Sequence, residues 1–288
     1  MSDAVERALN HLRQRCEQGT ANSNLPITLN FHPDLLVAGR LVIESIAEDG
    51  SYRSQFETGT SSGGLTAHLG GERWNWESRI FGGAYDDEAL WLRPKYGALN
   101  YRNDPVGGSR RFGSSHFRLR SNVHKRTSFA YPDSYLEPND FGVDDFRPLV
   151  VLANRNELSL DPWLDNYIEA HIHGPLTVRE DIEALVLDPS FKGTRIEEAA
   201  LSLGCKLEWH GGFCLSLSHI KECEKYRGRE AANAIVELAE GRSLTPALLW
   251  HARETTLDYK TAKCIWHCIA RFGCPLTNDS FNNHKAEQ

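Results

Sequence analysis

Cysteine, methionine and long apolar runs are scarce in this chain of 288 residues. It has seven Cys and one Met, and no two cysteines form a Cys-x-x-Cys pair. Neither a disulfide framework nor a compact zinc motif is therefore predicted, and we expect reduced, buried thiols. No stretch approaches the roughly 18 consecutive apolar residues that a membrane-spanning helix needs. The mean hydropathy is −0.47, which is typical of a globular protein that is not integral to a membrane.

An excess of positive charge is also missing, because 39 acidic residues stand against 32 basic ones and the net charge is −7. Such a chain has no overall field that would attract nucleic acid or an anionic membrane, so neither is expected as a partner, and a monomer is expected. The first residues are acidic and polar and lack the basic and then apolar run of a Sec signal peptide. We expect the protein to stay in the cytoplasm or to leave by a route that reads no such signal.

What the chain does contain is an apolar fraction of 40%, enough to build a core. Apolar spacing predicts an amphipathic helix over 2–18, a strand over 27–32 and a helix from Pro33 to about Gly50. From residue 51 to 129, short aromatic runs between glycine pairs are typical of antiparallel strands. Individual strands are predicted at 51–56, 98–101, 115–120 and 127–131.

The rest of the chain predicts two further strands and then a mainly helical third. The strands cover 167–172 and 184–187, and 132–147 is an acidic surface loop. The last third has one predicted strand pair, 206–209 with 213–217, and helices near 228–240 and 254–272. Together these elements predict an α+β fold.

The segment 167–174 combines a carboxylate with two imidazoles in an alternating pattern. In a strand, a period of two places Glu169, His171 and His173 on one face and apolar residues on the other. An acid flanked by two imidazoles suits general base catalysis, stabilisation of a carbocation or metal binding. A polar sheet edge that faces solvent explains the pattern equally well.

Two more segments have residues suited to an anionic or flat ligand. Arg53 precedes a Thr, Ser and Gly-rich stretch and could hold a phosphate, although no Walker or dinucleotide-binding glycine motif is present. Phe81, followed by Gly82-Gly83, could stack on a heterocycle, and Asp86 or Asp87 could accept ribose hydroxyls. The alternatives are a polar hairpin, a core phenylalanine and a solvated turn.

A fourth set has the ligand types of a metal-dependent hydrolase. It combines His32 and Asp34 with His171, His173 and Asp188. Asp34 also stands where a residue would cap the predicted helix, and the cap is the favoured interpretation. No nucleophile elbow is present for a serine hydrolase.

Six blocks of the sequence resemble a bacterial domain family of unknown function. The blocks are 30–34, 52–59, 81–86, 95–100, 112–119 and 167–174. This is the family of the type III secretion effector CteC, which ADP-ribosylates ubiquitin on threonine, within the mono-ADP-ribosyltransferase superfamily. The resemblance covers about 25–220, which would be the catalytic domain. It leaves 1–24 as an N-terminal helix and polar leader and 221–288 as a helical C-terminal extension.

The resemblance implies a split antiparallel sheet that grips NAD in a cleft, with no metal. Arg53 would hold the NAD phosphates or ribose. Glu169 would stabilise the oxocarbenium ion as nicotinamide leaves, and Phe81 would stack on nicotinamide. The remaining implied contacts to NAD or the acceptor are Asp87, Asp86, His32 and Ser114, the last of these with Thr60-Ser61-Ser62 as a loose counterpart of the superfamily's Ser-Thr-Ser strand.

The resemblance also implies the acceptor class. Arginine-specific members carry a Glu two residues before the catalytic Glu, where this sequence has Tyr167. A hydroxyl acceptor on a protein, with host ubiquitin as a candidate, is therefore expected. The implied setting is a bacterial effector or toxin, made in the bacterial cytoplasm and secreted through a type III or related system.

Overall fold

The computed structural model describes residues 2–16, 25–59, 65–255 and 257–273. The chain divides into two compact units. The first comprises Met1–Val186 and Arg195–Glu208, and the second comprises Leu187–Thr194 and Trp209–Gln288. The expected division into 1–24, 25–220 and 221–288 stays a prediction.

The chain opens with the amphipathic helix that the apolar spacing predicts, in a shorter form. Helix α1 spans Asp3–Arg13 and begins where the Ser2 hydroxyl accepts a hydrogen bond from the Val5 amide at 3.4 Å. That contact is the usual way to satisfy a free amide at a helix start. The apolar face of α1, which includes Leu9 and Leu12, is buried.

A large β-sheet forms the centre of the first unit, and its strands are short because turns interrupt the chain often. In chain order the strands are β1 (Ile27–Phe31), β2 (Leu36–Val37), β3 (Arg40–Leu41), β4 (Lys95–Leu99), β5 (Ser115–Leu119), β6 (Thr127–Tyr131), β7 (Asp140–Gly142), β8 (Ile168–Ile172), β9 (Ile182–Leu187) and β10 (Lys206–Trp209). Eight of the described strands form one sheet in the order β10-β9-β5-β1-β4-β8-β6-β7, and β2 pairs with β3 apart from it. Strand β8 thus lies between β4 and β6 and is antiparallel to both.

Helices precede, connect and follow these strands. Those of the first unit after α1 are α2 (Val42–Asp49), α3 (Gln55–Thr58), α4 (Glu72–Ile80), α5 (Arg147–Arg155), α6 (Val178–Asp181) and α7 (Arg195–Ser202). Those of the second unit are α8 (Ile220–Arg227), α9 (Arg229–Ala239), α10 (Pro246–Thr255) and α11 (Tyr259–Phe272). The predicted α+β class is confirmed.

The helix predicted from Pro33 is wrong in its first half. Ala38 and Gly39 both have positive φ, 51° and 79°, which turns the chain into the β2–β3 hairpin. The helix therefore begins only at Val42. It ends at Gly50, as predicted, where a left-handed conformation with φ 62° closes the last turn.

The strand-rich interpretation of 51–129 is right for β4, β5 and β6 but wrong for the first part of the segment. Residues 55–58 form α3, because Ser54 and Glu57 form a reciprocal capping box at its start. Residues 72–80 form α4, which buries Trp76 and Ile80 on one face.

In the second unit the four helices and an edge-to-face contact between Phe213 and Trp266, with ring centroids 5.1 Å apart, build a separate core. The strand predicted at 213–217 is wrong, since only an isolated bridge joins Leu215 to Leu244. The two helices expected near 228–240 and 254–272 are present as α9 and α11. No helix in the described part of the chain combines the length and the apolar character that crossing a bilayer requires.

Candidate functional site

Strand β8 and the residue directly after it carry the acid and the two imidazoles in the interior of the sheet. The alternation puts Glu169, His171 and His173 on one face, and all three are buried. The other face carries Ile168, Ala170 and Ile172. The predicted pattern is confirmed, and the alternative of a polar edge that faces solvent is wrong, because β8 has a partner strand on each side.

The Glu169 carboxylate is held by donors from two sides. Its Oε1 accepts hydrogen bonds from His171 Nε2 at 2.9 Å and from the Ser134 amide at 3.3 Å. Its Oε2 accepts one from the Ser134 hydroxyl at 3.1 Å, and that hydroxyl in turn accepts one from Arg73 Nη1 at 2.6 Å. Burial alone would raise the pKa of Glu169, but the hydrogen bond and the charge of His171, the charge of Arg73 and the hydrogen bond from Ser134 outweigh it and lower the pKa below its usual value. The carboxylate is therefore ionised at neutral pH.

A chain of hydrogen bonds continues from His171 away from Glu169. His171 Nδ1 lies 3.1 Å from the Ser128 hydroxyl, which lies 2.9 Å from His173 Nε2. His173 Nδ1 lies 2.7 Å from the Tyr85 hydroxyl. Burial, together with nearby positive charge, lowers the pKa of His173 well below its usual value, so this imidazole is neutral.

Aromatic rings enclose the two imidazoles. The Phe81 ring meets His171 and His173 edge-on, with centroids 5.7 and 5.0 Å apart, and Trp76 lies 5.3 Å from His171. Phe81 belongs to the hydrophobic core and is 1% exposed. Stacking on nicotinamide would require the ring to leave this packing, and that role stays a prediction.

A second carboxylate, that of Asp133, lies close to Glu169, and its pKa is shifted in the opposite direction. Asp133 accepts a hydrogen bond from the Tyr167 hydroxyl at 2.7 Å, and its neighbour Ser134 holds Glu169. Burial and the charge of Glu169 raise the pKa of Asp133. Two nearby acids whose pKa values are displaced in opposite directions are typical of sites that transfer protons.

Arg53 lies outside the sheet, just before α3, and so the strand predicted around it is wrong. Its side chain is half exposed and its Nη2 donates to Asp49 at 2.8 Å. The neighbouring Tyr52 amide donates to the Leu176 carbonyl, which anchors this segment to the chain that follows β8. Thr60-Ser61-Ser62 lie outside the described residues.

The other predicted contacts are spread over the first unit. The Asp86 carboxylate accepts a hydrogen bond from the Ser78 hydroxyl at 2.6 Å, and Asp87 is exposed in the turn that follows α4. Ser114 is fully buried directly before β5. His32 follows β1, and its Nδ1 lies 3.8 Å from a carboxylate oxygen of Asp34.

The residues of the hydrolase alternative are not brought together as a metal centre. Asp188 accepts hydrogen bonds from the amides of Ser190 and Phe213 at 2.8 and 2.7 Å, which fixes a turn in the second unit. Among the residues with a described position, no three His, Cys, Asp or Glu side chains are grouped so that they could hold a metal ion. Asp34 does not cap a helix, because the chain after it forms the β2–β3 hairpin.

Sequence reasoning missed the groups that hold Glu169 and the histidines. Ser128 lies opposite His171 across the β6–β8 register, and Ser134, Arg73 and Tyr85 reach the site from outside β8. A strand pattern shows which residues share a face but not which strand lies beside it. The only available signal was the prediction of a strand at 127–131.

Most of the chain matches the model of a known protein family. The family model described as "Protein of unknown function (DUF3626)" matches residues 26–157 and 149–272. The chain belongs to this family. No curated protein matches the chain. The family match includes β1 to β10, so the membership covers the whole sheet around Glu169.

Proposed function

We propose that this protein is an NAD-dependent mono-ADP-ribosyltransferase that modifies a hydroxyl group on a protein acceptor. The observation that carries the proposal is the Glu169 carboxylate, which His171 and Ser134 hold in place on an interior strand of the sheet. The resemblance of the six sequence blocks supplies the reaction class. In this proposal the sheet is an ADP-ribosyltransferase-like core and NAD is the co-substrate.

The reaction needs a fixed negative charge at the place where positive charge develops. When the bond between C1′ and the nicotinamide nitrogen breaks, its electron pair leaves with nicotinamide and the ribose becomes an oxocarbenium ion. A carboxylate already oriented by the protein stabilises that ion without the reorganisation that water would need. Glu169 Oε1 already accepts two hydrogen bonds and Oε2 only one, so Oε2 is the oxygen that would accept a ribose hydroxyl.

The acceptor proposed is a hydroxyl, whose oxygen would form a bond to C1′ as nicotinamide leaves and whose proton would be released to water. The position two residues before Glu169 holds Tyr167, whose hydroxyl donates to Asp133. No carboxylate stands at that position to bind and deprotonate a guanidinium group, which argues against arginine. Ubiquitin threonine is the candidate acceptor that the resemblance supplies, in a bacterial effector or toxin secreted by a type III or related route.

NAD would be held by side chains that lie outside β8. Arg53 would bind the pyrophosphate, and to do so its guanidinium must exchange Asp49 for phosphate oxygens. Phe81, Asp86 or Asp87, His32 and Ser114 complete the proposed contacts. The proposed chemistry uses no metal.

The decisive experiment measures label transfer from biotin-NAD to ubiquitin and to proteins of a eukaryotic cell lysate, together with nicotinamide release. Glu169→Gln keeps the size and the hydrogen-bonding oxygen of the side chain but removes its charge. We expect it to lower transfer by about 100-fold or more. Glu183→Gln, at an exposed carboxylate on β9, is the matched control and should keep wild-type activity.

Wild-type transfer by Glu169→Gln would contradict the assignment of Glu169. If the wild-type protein neither labels an acceptor nor releases nicotinamide, the transferase proposal is wrong.

A further inference from the structure

Four consecutive hydrogen bonds connect a tyrosine hydroxyl to the Glu169 carboxylate. They join Tyr85 to His173 at 2.7 Å, His173 to Ser128 at 2.9 Å, Ser128 to His171 at 3.1 Å and His171 to Glu169 at 2.9 Å. All five side chains are buried, which shields these contacts from bulk solvent. The residues come from three separate parts of the chain, namely the turn after α4, strand β6 and the segment made of β8 and the residue directly after it.

The proton positions in this chain are not independent of one another. Ser128 has one hydroxyl proton and lies between two imidazole nitrogens, so it donates to one and accepts from the other. If His171 is neutral and donates from Nε2 to Glu169, its Nδ1 accepts from Ser128. Ser128 then accepts from Nε2–H of His173, and His173 Nδ1 accepts from the Tyr85 hydroxyl. Every donor has an acceptor in this arrangement.

The opposite direction leaves a donor without an acceptor. An imidazolium at His171 would donate from Nδ1 to Ser128, which would donate to His173, which would donate to the Tyr85 oxygen. The Tyr85 proton would then need a second acceptor, but within the described residues the Tyr85 hydroxyl is hydrogen-bonded to His173 alone. Tyr85 is 1% exposed, and a buried donor without a partner is unfavourable because it has lost its hydrogen bonds to water.

We infer that Tyr85, His173 and Ser128 are positioning residues that act through His171 to fix the direction of the hydrogen bonds at Glu169. They keep the Nε2 proton of His171 directed at Glu169, so that Oε1 stays turned toward His171. The inference deepens the proposed function and rests on it for the catalytic consequence. The proton arrangement itself follows from the contacts.

Other charged groups face the two ends of this series of hydrogen bonds and contribute to its titration. Arg73 and Asp133 face Glu169, and Arg126 and Lys95 face His173. Tyr96 lies against His171 with ring centroids 5.3 Å apart and donates its hydroxyl proton to Glu77. None of these groups takes part in the four hydrogen bonds.

The first test determines the imidazole tautomers by long-range 1H–15N NMR of histidine-labelled full-length protein at pH 7. Single His171→Gln and His173→Gln variants assign the two signals. We expect both rings to be neutral and to carry their proton on Nε2. A wild-type His171 that is doubly protonated, or that carries its proton on Nδ1, overturns the inference, and this readout does not depend on any enzymatic activity.

The second test uses Ser128. Ser128→Ala removes the central hydroxyl and should lower kcat for ADP-ribosyl transfer by up to about 100-fold, with a KM for NAD within about twofold of wild type. Ser128→Thr keeps the hydroxyl and should restore most of the rate. Thr127→Val removes a buried hydroxyl on the same strand that donates to the Val123 carbonyl instead, and it should change neither the tautomers nor kcat.

The outcomes separate the inference from the proposed function. If the wild-type protein transfers no ADP-ribose, the proposed function is wrong. The imidazole tautomers still show in which direction the hydrogen bonds between Tyr85 and Glu169 run. If transfer depends on Glu169 but Ser128→Ala and Thr127→Val behave alike, the proposed function stands and the positioning role is wrong.

Discussion

Arg93 and Glu77 form an ion pair that is completely withdrawn from water, and replacing Arg93 by Met should strongly destabilise the protein. Both side chains are 0% exposed, and Arg93 Nη1 lies 2.7 Å from Glu77 Oε2. The guanidinium also donates to the Tyr85 carbonyl at 3.0 Å and lies 3.5 Å from the Trp74 ring centroid. Methionine keeps most of the apolar length of the side chain but none of these polar contacts.

The magnitude follows from what remains around Glu77. The Tyr96 hydroxyl still donates to its Oε1 at 2.7 Å, but the cation bonded to Oε2 is gone. Breaking one partner of a buried pair typically costs about 3–5 kcal/mol. Burial already raises the pKa of Glu77, and loss of Arg93 raises it further. Because the folded-state pKa then exceeds the unfolded-state value, the stability of Arg93→Met should fall as the pH rises through that folded-state pKa.

Urea denaturation measured at several pH values gives the free energy of unfolding for each variant. The double variant Arg93→Met with Glu77→Leu removes both charges and should recover most of the lost stability. Arg195→Met is the control, since Arg195 pairs with Glu44 at 2.9 Å but is about half exposed, and it should cost about 1 kcal/mol or less. A cost below about 1 kcal/mol for Arg93→Met, or no recovery in the double variant, would refute the reasoning.

Two further predictions concern Arg53 and Glu208. Asp49→Asn removes the carboxylate that holds Arg53 and should tighten NAD binding in calorimetry. Arg53→Ala should weaken NAD binding about tenfold or more. Equal affinity for NAD in the two variants would contradict the pyrophosphate role of Arg53. Hydrogen bonds from Arg118 and Lys206 lower the pKa of Glu208 to about 2. This pair therefore stabilises the fold above about pH 4.5 and loses that contribution as the pH falls towards about 2. Glu208→Gln should cost about 1–2 kcal/mol at pH 7 and almost nothing near pH 2. Glu183→Gln, at a more exposed partner of Arg118, should cost less at pH 7. If the stability cost of Glu208→Gln stays constant with pH, the ion pair of Glu208 with Arg118 is not the source of the stabilisation.

The sequence predicted the polar face of β8 because the alternation of side chains along a strand is a local property. Glu169, His171 and His173 share a face whatever lies beside the strand. The strand over 127–131 was also predictable from its β-branched and aromatic residues, and it is β6. That Ser128 of β6 stands opposite His171 was not predictable, because pairing between strands so far apart in the chain depends on the whole sheet.

The errors also have local physical causes. Glycine pairs on either side of 72–80 are typical of the turns that bound an antiparallel strand, but here they flank α4, whose Trp76 and Ile80 lie one helical turn apart on its buried face. Ala38, a non-glycine residue with positive φ, gave no warning of the hairpin that interrupts the helix expected after Pro33. In each case tertiary packing decided between two patterns that the short segment allows.

The Ser134 hydroxyl is a spacer as well as a donor. It accepts from Arg73 and donates to Glu169, so it stands between a guanidinium and a carboxylate that would otherwise neutralise each other. A direct contact would occupy Oε2, the oxygen with the greatest remaining capacity to accept a hydrogen bond. The residue that keeps Glu169 available as a free anion is therefore one that has no charge of its own.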